Sequence, residues 1–167
     1  RYKLKRDNNL DYPLDNITVS GGAKQVIFNA FMASLSQGDE VIVPSPNWPS
    51  YLDMVAIADG TPVSVECPQR DRFLLTPERL EAAITPSTRW LVMNSPSNPT
   101  GGAYTKTQLV QIAKVLRAHK HVWVLSDDIY EHLMFQGHDF VSILNVAPDL
   151  KFRTLLVNGV SKVFAMT

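Results

Sequence analysis

Five short apolar runs recur along this chain, and helical patterns separate them. Most of the runs are apolar throughout, whereas a strand with one face in water would alternate apolar and polar residues. Continuous apolar strands are typical of a parallel sheet that helices cover on both faces. The sequence therefore predicts an α/β fold, a three-layer sandwich with a mostly parallel central sheet. The predicted strands are EVIVP, TPVSVE, RWLVMN, HVWVLSD and RTLLVNG.

Three segments between the strands have the apolar spacing of amphipathic helices. They are AKQVIFNAFMASL, TPERLEAAI and TKTQLVQIAKVLRAHK. The second has a clear start signal, because Thr76 can cap the helix and Pro77 suits its first turn. The chain has no repeat and no linker rich in Gly, Ser or Pro, so residues 1–167 are predicted to form one domain.

Charge and cysteine content narrow the choice of partner and compartment. Sixteen Lys and Arg residues balance 16 Asp and Glu residues, so no net charge draws the chain to nucleic acid or to an anionic membrane. The basic start, RYKLKR, lacks an aromatic platform and is interpreted as a solvated helix end. The single cysteine, Cys67, cannot form an internal disulfide, which favours the cytoplasm. The four histidines are scattered and predict no metal site.

The residues that follow each strand are the candidates for a site, because ligands of such sheets bind beyond the carboxyl ends of the strands. TVSGGAKQ places two glycines where a short strand is predicted to turn into a helix. The amides of Gly22, Ala23 and Lys24 would then lie at the helix N-terminus, where free N–H groups and the helix dipole favour an anion such as phosphate. A tight turn that requires glycine is the alternative interpretation.

An aromatic residue and two amides follow the next strands. VPSPNWPSY contains Trp48, whose indole can lie flat on an aromatic ligand or pack into the core. MNSPSNPTGG contains Asn94 and Asn98 among prolines. These are turn-forming residues by default, although a turn directly after a buried strand also holds an asparagine amide at a fixed angle to a ligand.

Charged residues follow the last two predicted strands. SDDIYEHL brings Asp127, Asp128 and Tyr130 to a strand end, where a buried carboxylate is costly unless a cation or a hydrogen-bond donor meets it. Helix capping is the alternative role for the aspartates. Lys162 follows TLLVNG, and a desolvated lysine tends towards the neutral amine that attacks carbonyl carbon. All of these strand-end groups are predicted to lie on one edge of the sheet.

Together these motifs resemble those of the class I/II aminotransferases, which are pyridoxal-phosphate enzymes of fold type I. SPSNPTGG, SDDIYEHL and SKVFAMT resemble the family's asparagine, aspartate–tyrosine and lysine motifs in the right order, and the similarity covers essentially the whole chain. PSPNWPSY and SPSNPTGG most resemble the aspartate aminotransferase-like branch. The resemblance implies that residues 1–167 are the large cofactor-binding domain, without the small C-terminal domain and an N-terminal segment.

The resemblance also implies how pyridoxal 5'-phosphate is bound at its phosphate group. The amides of Gly22, Ala23 and Lys24 would bind the phosphate, and Ser161 is a further cofactor-binding candidate. Many relatives have a phosphate-contacting serine three residues before the lysine. This chain has Gly159 there, which weakens the expectation of a hydroxyl contact.

The ring of the cofactor is assigned to residues from three strand ends. The resemblance implies that Trp48 stacks on the pyridine ring and that Asn98 and Tyr130 hydrogen-bond its phenolic oxygen. Asp127 would pair with the protonated ring nitrogen, which favours electron storage by the ring. The peptide bond between Asn98 and Pro99 is expected to be cis, as it often is in the family.

The resemblance gives Lys162 two successive roles. It would hold the cofactor as a Schiff base and then, once an amino acid displaces it, act as the general acid/base that moves the α proton. With Asp127 and Tyr130 it completes the expected catalytic residues. The implied activity is amino-group transfer between an amino acid, with aspartate as the candidate, and a 2-oxo acid, in a homodimer.

Two alternative functions stay open on the sequence alone. The same cofactor site could serve a carbon–sulfur lyase, which an assay for ammonia and pyruvate release would distinguish from keto acid exchange. An aminotransferase-like effector domain of a transcription regulator is the other hypothesis, and it would carry a winged-helix DNA-binding domain upstream.

Overall fold

The structure is a computed structural model that describes residues 1–135 and 137–166. At its centre is a five-stranded sheet with the order β2-β1-β3-β4-β5. Every pair of neighbouring strands in this sheet is parallel. All five predicted strands are confirmed, with small shifts at their ends. The strands are β1 (Glu40–Ser45), β2 (Thr61–Glu66), β3 (Thr88–Asn94), β4 (Trp123–Asp127) and β5 (Thr154–Val157).

The helices include the three that the sequence predicts, α2, α4 and α5, and three further ones. Their bounds are α1 (Tyr2–Asn8), α2 (Ala23–Ser34), α3 (Ser50–Ile57), α4 (Pro77–Ala83), α5 (Lys106–Ala118) and α6 (Ile143–Val146). Short 3-10 helices span Leu14–Asn16, Gln69–Asp71 and Pro148–Arg153. Within the described residues, no helix has the length and apolar character needed to cross a bilayer.

Successive residues of the central strands pack into two separate apolar cores. In β3, Trp90 and Val92 belong to one core with α2 and α3. Leu91 and Met93 belong to the other core with α4, α5 and α6. Because side chains of a strand alternate between the two faces of a sheet, both faces are covered by helices. The predicted three-layer α/β architecture is therefore confirmed.

Two local predictions about helix starts have different outcomes. The Thr76 hydroxyl accepts a hydrogen bond of 3.4 Å from the Arg79 amide, which confirms Thr76 as the cap of α4. The short strand predicted before the glycines of TVSGGAKQ is wrong, since residues 17–20 form no strand. Val19 is 92% exposed there, and within the described residues this stretch pairs with no strand of the sheet.

The strand order places a switch point between β1 and β3. The chain adds β2 on one side of β1 and then adds β3, β4 and β5 on the other side. In open α/β sheets, ligands bind beyond the carboxyl ends of the strands at such a switch point. The loops that follow β1 and β3 are therefore the first place to look for a site.

Candidate active site

A cavity of about 460 Å³ lies at the carboxyl ends of β1, β3, β4 and β5. This volume is within the range of small-molecule binding sites. The cavity lining includes every catalytic and cofactor-binding residue that the resemblance implies and the strand-end candidate Asn94, but not the candidate Asp128. Gly21, Tyr51 and Ile129 line it in addition. The predicted residues in the lining are Gly22, Ala23, Lys24, Trp48, Asn98, Asp127, Tyr130, Ser161 and Lys162.

Helix α2 begins at this cavity with Gly22 as its N-cap residue. Gly22 has φ 134°, a backbone conformation that residues with a Cβ rarely adopt, so the position requires glycine. No side chain caps the helix, which leaves first-turn N–H groups available at the cavity. Gln25 instead reaches back, and its Oε1 accepts hydrogen bonds from the Gly21 amide (3.0 Å) and the Ser20 hydroxyl (2.6 Å). This helix start can therefore bind an anion through its main chain.

Asp127 ends β4 and places a buried carboxylate in the cavity wall. The residue is 3% exposed. The Tyr51 hydroxyl donates to Oδ2 over 2.6 Å, and the Ile129 amide donates to Oδ1 over 3.3 Å. Burial raises the pKa of Asp127, and these two hydrogen bonds oppose the rise. A cationic group that entered the cavity would stabilise the ionised form further.

Tyr51 is a site residue that the sequence analysis missed. It is the second residue of α3 and is buried. Burial first, and then the neighbouring Asp127 carboxylate, raise the pKa of Tyr51, so its hydroxyl keeps its proton and donates. The available signal was spacing, since Tyr51 lies three residues after Trp48 at the start of a helix. The two rings meet edge to face, with centroids 5.2 Å apart.

Trp48 serves both the core and the cavity. The half-buried indole packs against the core that contains α2 and α3, and it also lines the cavity. Lys24 Nζ lies 5.0 Å from the centroid of the indole ring, a cation–π contact. Core packing of this tryptophan is therefore confirmed, and its place in the cavity wall leaves stacking on a ligand as a prediction.

Asn94 lies at the end of β3, and both polar atoms of its side-chain amide form hydrogen bonds with main-chain groups. Its Nδ2 donates to the carbonyl oxygen of Asp127 over 2.9 Å, and its Oδ1 accepts from the Asn98 amide over 2.8 Å. The sheet register pairs Asn94 with Asp127 directly. Asn94 thus links the turn that contains Asn98 to the strand end that carries the carboxylate.

The turn after β3 contains the cis peptide bond that the resemblance implies, between Asn98 and Pro99. Two more cis bonds, Ser45–Pro46 after β1 and Ser95–Pro96 in the same turn as Asn98, are not predicted from the sequence. The turn is closed by hydrogen bonds from the Ser97 amide to the Gly102 carbonyl (2.9 Å) and from the Gly101 amide to the Ser97 carbonyl (2.8 Å). This arrangement places Asn98 in the cavity wall.

Ser161 and Lys162 lie in the turn region after β5, and both line the cavity. The expectation of a desolvated lysine is wrong for this chain, because Lys162 is exposed. The reason is that its neighbours are on open surface, with Val160 at 50% exposure and Phe164 at 60%. Within the described residues, no helix or strand follows β5 to cover this turn.

Asp128 does not line the cavity, although it is adjacent to Asp127 in the chain. It is buried, and its Oδ1 accepts a hydrogen bond of 2.7 Å from the Ser126 hydroxyl. Burial raises the pKa of Asp128 to about 8, so this carboxyl is mainly protonated at neutral pH. Of the two adjacent aspartates, Asp127 is therefore the one suited to pair with a cation in the cavity.

One histidine lies among carboxylates, outside the cavity. His132 Nε2 is 3.2 Å from Glu131 Oε1 and 3.9 Å from Asp7 Oδ2. Potential ligand atoms of these three residues all lie within 4.8 Å of one another. Lys3 pairs with Glu131 and Arg6 with Asp7, so cationic side chains already meet both carboxylates. No sequence spacing signals this group, because Asp7 comes from the opposite end of the chain.

Comparison with known proteins identifies the family. All residues from 1 to 167 match the family model described as "Aminotransferase class I and II", and the chain belongs to this family. Among curated relatives, it is 57% identical over 165 residues to the "Probable aspartate/prephenate aminotransferase" of Rickettsia bellii, covering 99% of this chain and 41% of that protein. It is 55% identical over 167 residues to the aspartate aminotransferase of Rhizobium meliloti, covering 100% of this chain and 41% of that protein.

Solved structures of aminotransferases have the same fold as this chain. The crystal structure of the aspartate aminotransferase from Rhizobium meliloti matches with a TM-score of 0.98 and 55% identity, over 100% of this chain and 42% of that one. The aspartate aminotransferase from Thermus thermophilus with maleate matches with a TM-score of 0.91 and 45% identity, over 99% and 42% respectively. The chain therefore spans about two fifths of the length of these relatives.

Proposed function

We propose that this chain is the cofactor-binding domain of a longer pyridoxal-phosphate-dependent aminotransferase. The observation that carries the proposal is the convergence of Lys162, Asp127 and the start of α2 on one cavity. An amine, a carboxylate and a set of free main-chain amides are the groups that an aldehyde, a protonated ring nitrogen and a phosphate require. Membership of the class I and II aminotransferase family supports the same cofactor.

The residues present fit pyridoxal 5'-phosphate. The amides of Gly22, Ala23 and Lys24 would hold its phosphate, because the start of α2 carries no side-chain cap. The Trp48 indole, in the cavity wall, offers a flat apolar surface for the ring. Further donors and acceptors at the cavity would hold the ring substituents, and these are Asn98, Tyr130, Asp127, Ser161 and Lys162.

Asp127 and Tyr51 would control the charge at the ring nitrogen. When bound, pyridoxal phosphate supplies an electron sink for the α carbon of an amino acid, and it does so best with its ring nitrogen protonated. The Asp127 carboxylate would hold that proton in place. Tyr51 orients the carboxylate by donating to Oδ2 over 2.6 Å, and this bond lowers the pKa of Asp127 against the larger rise that burial causes.

Lys162 would be the covalent anchor and the proton carrier. Its Nζ would bind the cofactor aldehyde until the substrate amine takes its place, and the freed amine would then accept the proton from the substrate α carbon. Both roles require a neutral amine. Because Lys162 is exposed in this chain, the desolvation that favours this form would come from parts of the enzyme outside these residues.

The proposed substrates are an amino acid and a 2-oxo acid, with aspartate as the first donor to test. Two relatives support this choice by name, one as an aspartate aminotransferase and one as a probable aspartate/prephenate aminotransferase. Neither the carbon–sulfur lyase nor the regulator hypothesis is favoured by these names. We further propose a homodimer located in the cytoplasm; the lone buried thiol of Cys67 is consistent with that compartment.

The test uses a full-length protein that contains residues 1–167. Purified with pyridoxal phosphate, it should show the visible absorption band of lysine-bound cofactor and exchange amino groups between aspartate and a 2-oxo acid. Lys162→Ala should remove the band, and borohydride should no longer fix the cofactor to the protein. The control is Lys114→Ala on α5, an exposed lysine that does not line the cavity. If borohydride still fixes the cofactor to Lys162→Ala, another lysine is the anchor.

A further inference from the structure

Glu131 has a buried carboxylate, and two of its partners come from helix α1 near the N-terminus of the chain. Its side chain is 2% exposed, and a carboxylate in such a position is costly unless charge and hydrogen bonds meet it. Lys3 Nζ donates to its Oε1, 128 residues away in sequence. Asn8 Nδ2 donates to its Oε2 over 2.5 Å. Both of these partners belong to helix α1, and His132 Nε2 lies 3.2 Å from the same Oε1, so α1 supplies two of the three polar groups at this buried carboxylate.

Helix α1 is itself held in a defined place. Lys3 Nζ also donates to Asn8 Oδ1 over 2.8 Å, which fixes the two partners of Glu131 relative to each other. The Asn8 carbonyl oxygen accepts a hydrogen bond of 2.7 Å from Asn145 Nδ2 on α6. Asn8 is buried. The contact between α1 and Glu131 is therefore part of the packed structure, while Arg1, Tyr2, Lys5 and Arg6 of RYKLKR are exposed, as predicted for a solvated helix end.

Glu131 closes the turn that carries Tyr130. The Glu131 amide donates to the Asp128 carbonyl over 3.0 Å, so the turn begins where β4 ends and closes one residue after Tyr130. Tyr130 lines the cavity, whereas the carboxylate of Glu131 contacts α1. The turn is thus fixed from two sides, by the sheet through Asp127 and by α1 through Glu131.

We propose that the Lys3–Glu131 ion pair makes helix α1 a positioning element of the candidate active site, holding the turn that carries Tyr130 against the cavity. This inference rests on the proposed function, because it assigns the cavity to pyridoxal phosphate. Neither Lys3 nor Glu131 lines the cavity, so both act through Tyr130 rather than on the cofactor. Removal of the half-buried Lys3 would leave the buried Glu131 carboxylate with only Asn8 and His132 as partners, and the turn would shift to expose it.

The experiment measures cofactor binding in a full-length protein that contains this chain. Lys3→Met should raise the Kd for pyridoxal phosphate about tenfold or more, an effect of the size seen at metal sites when a residue that orients a metal ligand is lost. Glu131→Gln, which keeps the shape of the side chain, should raise it in the same direction. Hydrogen exchange of the apo protein should be faster in residues 128–131 of Lys3→Met than in the wild-type protein.

Two control variants separate positioning from general stability. Arg117→Met breaks the exposed pair that Arg117 makes with Asp149 at 2.7 Å, and Ile112→Val reduces packing in the core of α5. Both should leave the Kd and the exchange of residues 128–131 unchanged, although Ile112→Val lowers the melting temperature. Wild-type affinity in both Lys3→Met and Glu131→Gln would overturn the inference and leave the ion pair a purely stabilising role. Failure of the wild-type protein to bind pyridoxal phosphate would instead refute the proposed function.

Discussion

The Tyr51 hydroxyl donates a hydrogen bond of 2.6 Å to Oδ2 of Asp127, and both groups are buried. The two residues come from different layers of the fold, Tyr51 from the start of α3 and Asp127 from the end of β4. The bond lowers the pKa of Asp127 against the larger rise that burial causes. The charge of the proposed cofactor partner is therefore set partly by a helix that the sequence analysis did not predict.

Tyr51→Phe should weaken transamination without unfolding the protein. Loss of the hydroxyl raises the pKa of Asp127, so the low-pH limb of the rate profile should move to higher pH. A hydrogen bond to a charged group contributes roughly 1.5–3 kcal/mol, which corresponds to a rate loss of about 10- to 160-fold. Tyr104→Phe is the matched control, because that buried hydroxyl accepts from the Leu75 amide instead. An unchanged pH profile in Tyr51→Phe would contradict this role.

Asp127→Asn should cost several orders of magnitude in turnover while the fold is kept. The variant has nearly the same shape but no charge to hold a proton on the ring nitrogen, and such an electrostatic partner acts mainly on the transition state. Steady-state kinetics and circular dichroism are the measurements. Asp128→Asn, one residue further on and outside the cavity lining, should stay within about tenfold of wild type. The opposite ranking of the two variants would transfer the role to Asp128.

Asn94→Asp should loosen the link between the Asn98 turn and β4. The new carboxylate still accepts from the Asn98 amide, but it faces the Asp127 carbonyl without a proton to donate. Loss of this bond and the new repulsion should weaken pyridoxal phosphate binding by about tenfold or more. Fluorescence titration with the cofactor measures the effect. Gln108→Glu alters another amide that bonds main chain, through the Thr105 amide and outside the cavity lining, and should bind the cofactor normally.

Asp128 should make stability depend on pH in a direction opposite to that of most carboxylates. Its pKa in the folded state is about 8, above the usual value of about 3.9, so the folded protein binds more protons than the unfolded chain between these values. The free energy of unfolding should therefore fall as pH rises from about 4 to about 8, by at most about 1.4 kcal/mol per pH unit for this one group. Urea denaturation at pH 5 and pH 8 should show a smaller fall in the free energy of unfolding for Asp128→Asn than for the wild-type protein. If the free energy of unfolding falls equally with pH in both proteins, the pKa of Asp128 is not raised.

Residues 1–167 expressed alone should not transaminate. Lys162 is exposed in this chain, and the relatives that it matches are more than twice as long. The predicted outcome is weak cofactor binding and no amino-group transfer with added pyridoxal phosphate and several amino acid and 2-oxo acid pairs. Sustained turnover by a soluble monomer of these residues would show that the remaining parts of the relatives are dispensable.

Much of the fold was predictable because a parallel sheet has a strong sequence signature. The apolar runs marked all five strands, and the residues that follow them marked the edge where the cavity lies. The apolar pattern did not predict segments whose structure depends on contacts with other parts of the fold. Val19 has strand propensity but no neighbouring strand, and α3 begins within a proline-rich stretch that looks like a loop.

Most residues of the candidate site were predictable from the sequence, whereas the residues that hold them in place were not. Lys162 and Asp127 are recognisable because their chemistry is unusual at a strand end. Tyr51, Asn94 and Glu131 act through hydrogen bonds to other protein groups, and those partners are fixed by register and helix packing. Sequence spacing carries no information about a contact such as that of Lys3 with Glu131, which spans 128 residues.

Residues that follow every strand but β2 line the one cavity. This arrangement determines when the cavity can form during synthesis of the chain. The lining residues extend from Gly21 to Lys162, and β5 must pair with β4 before the last of them is in place. A chain that emerges from the ribosome N-terminus first can collapse its early helices and strands long before that pairing occurs. The cavity, and with it any attachment of a cofactor to Lys162, therefore forms only after nearly all of these residues have been translated and released from the exit tunnel.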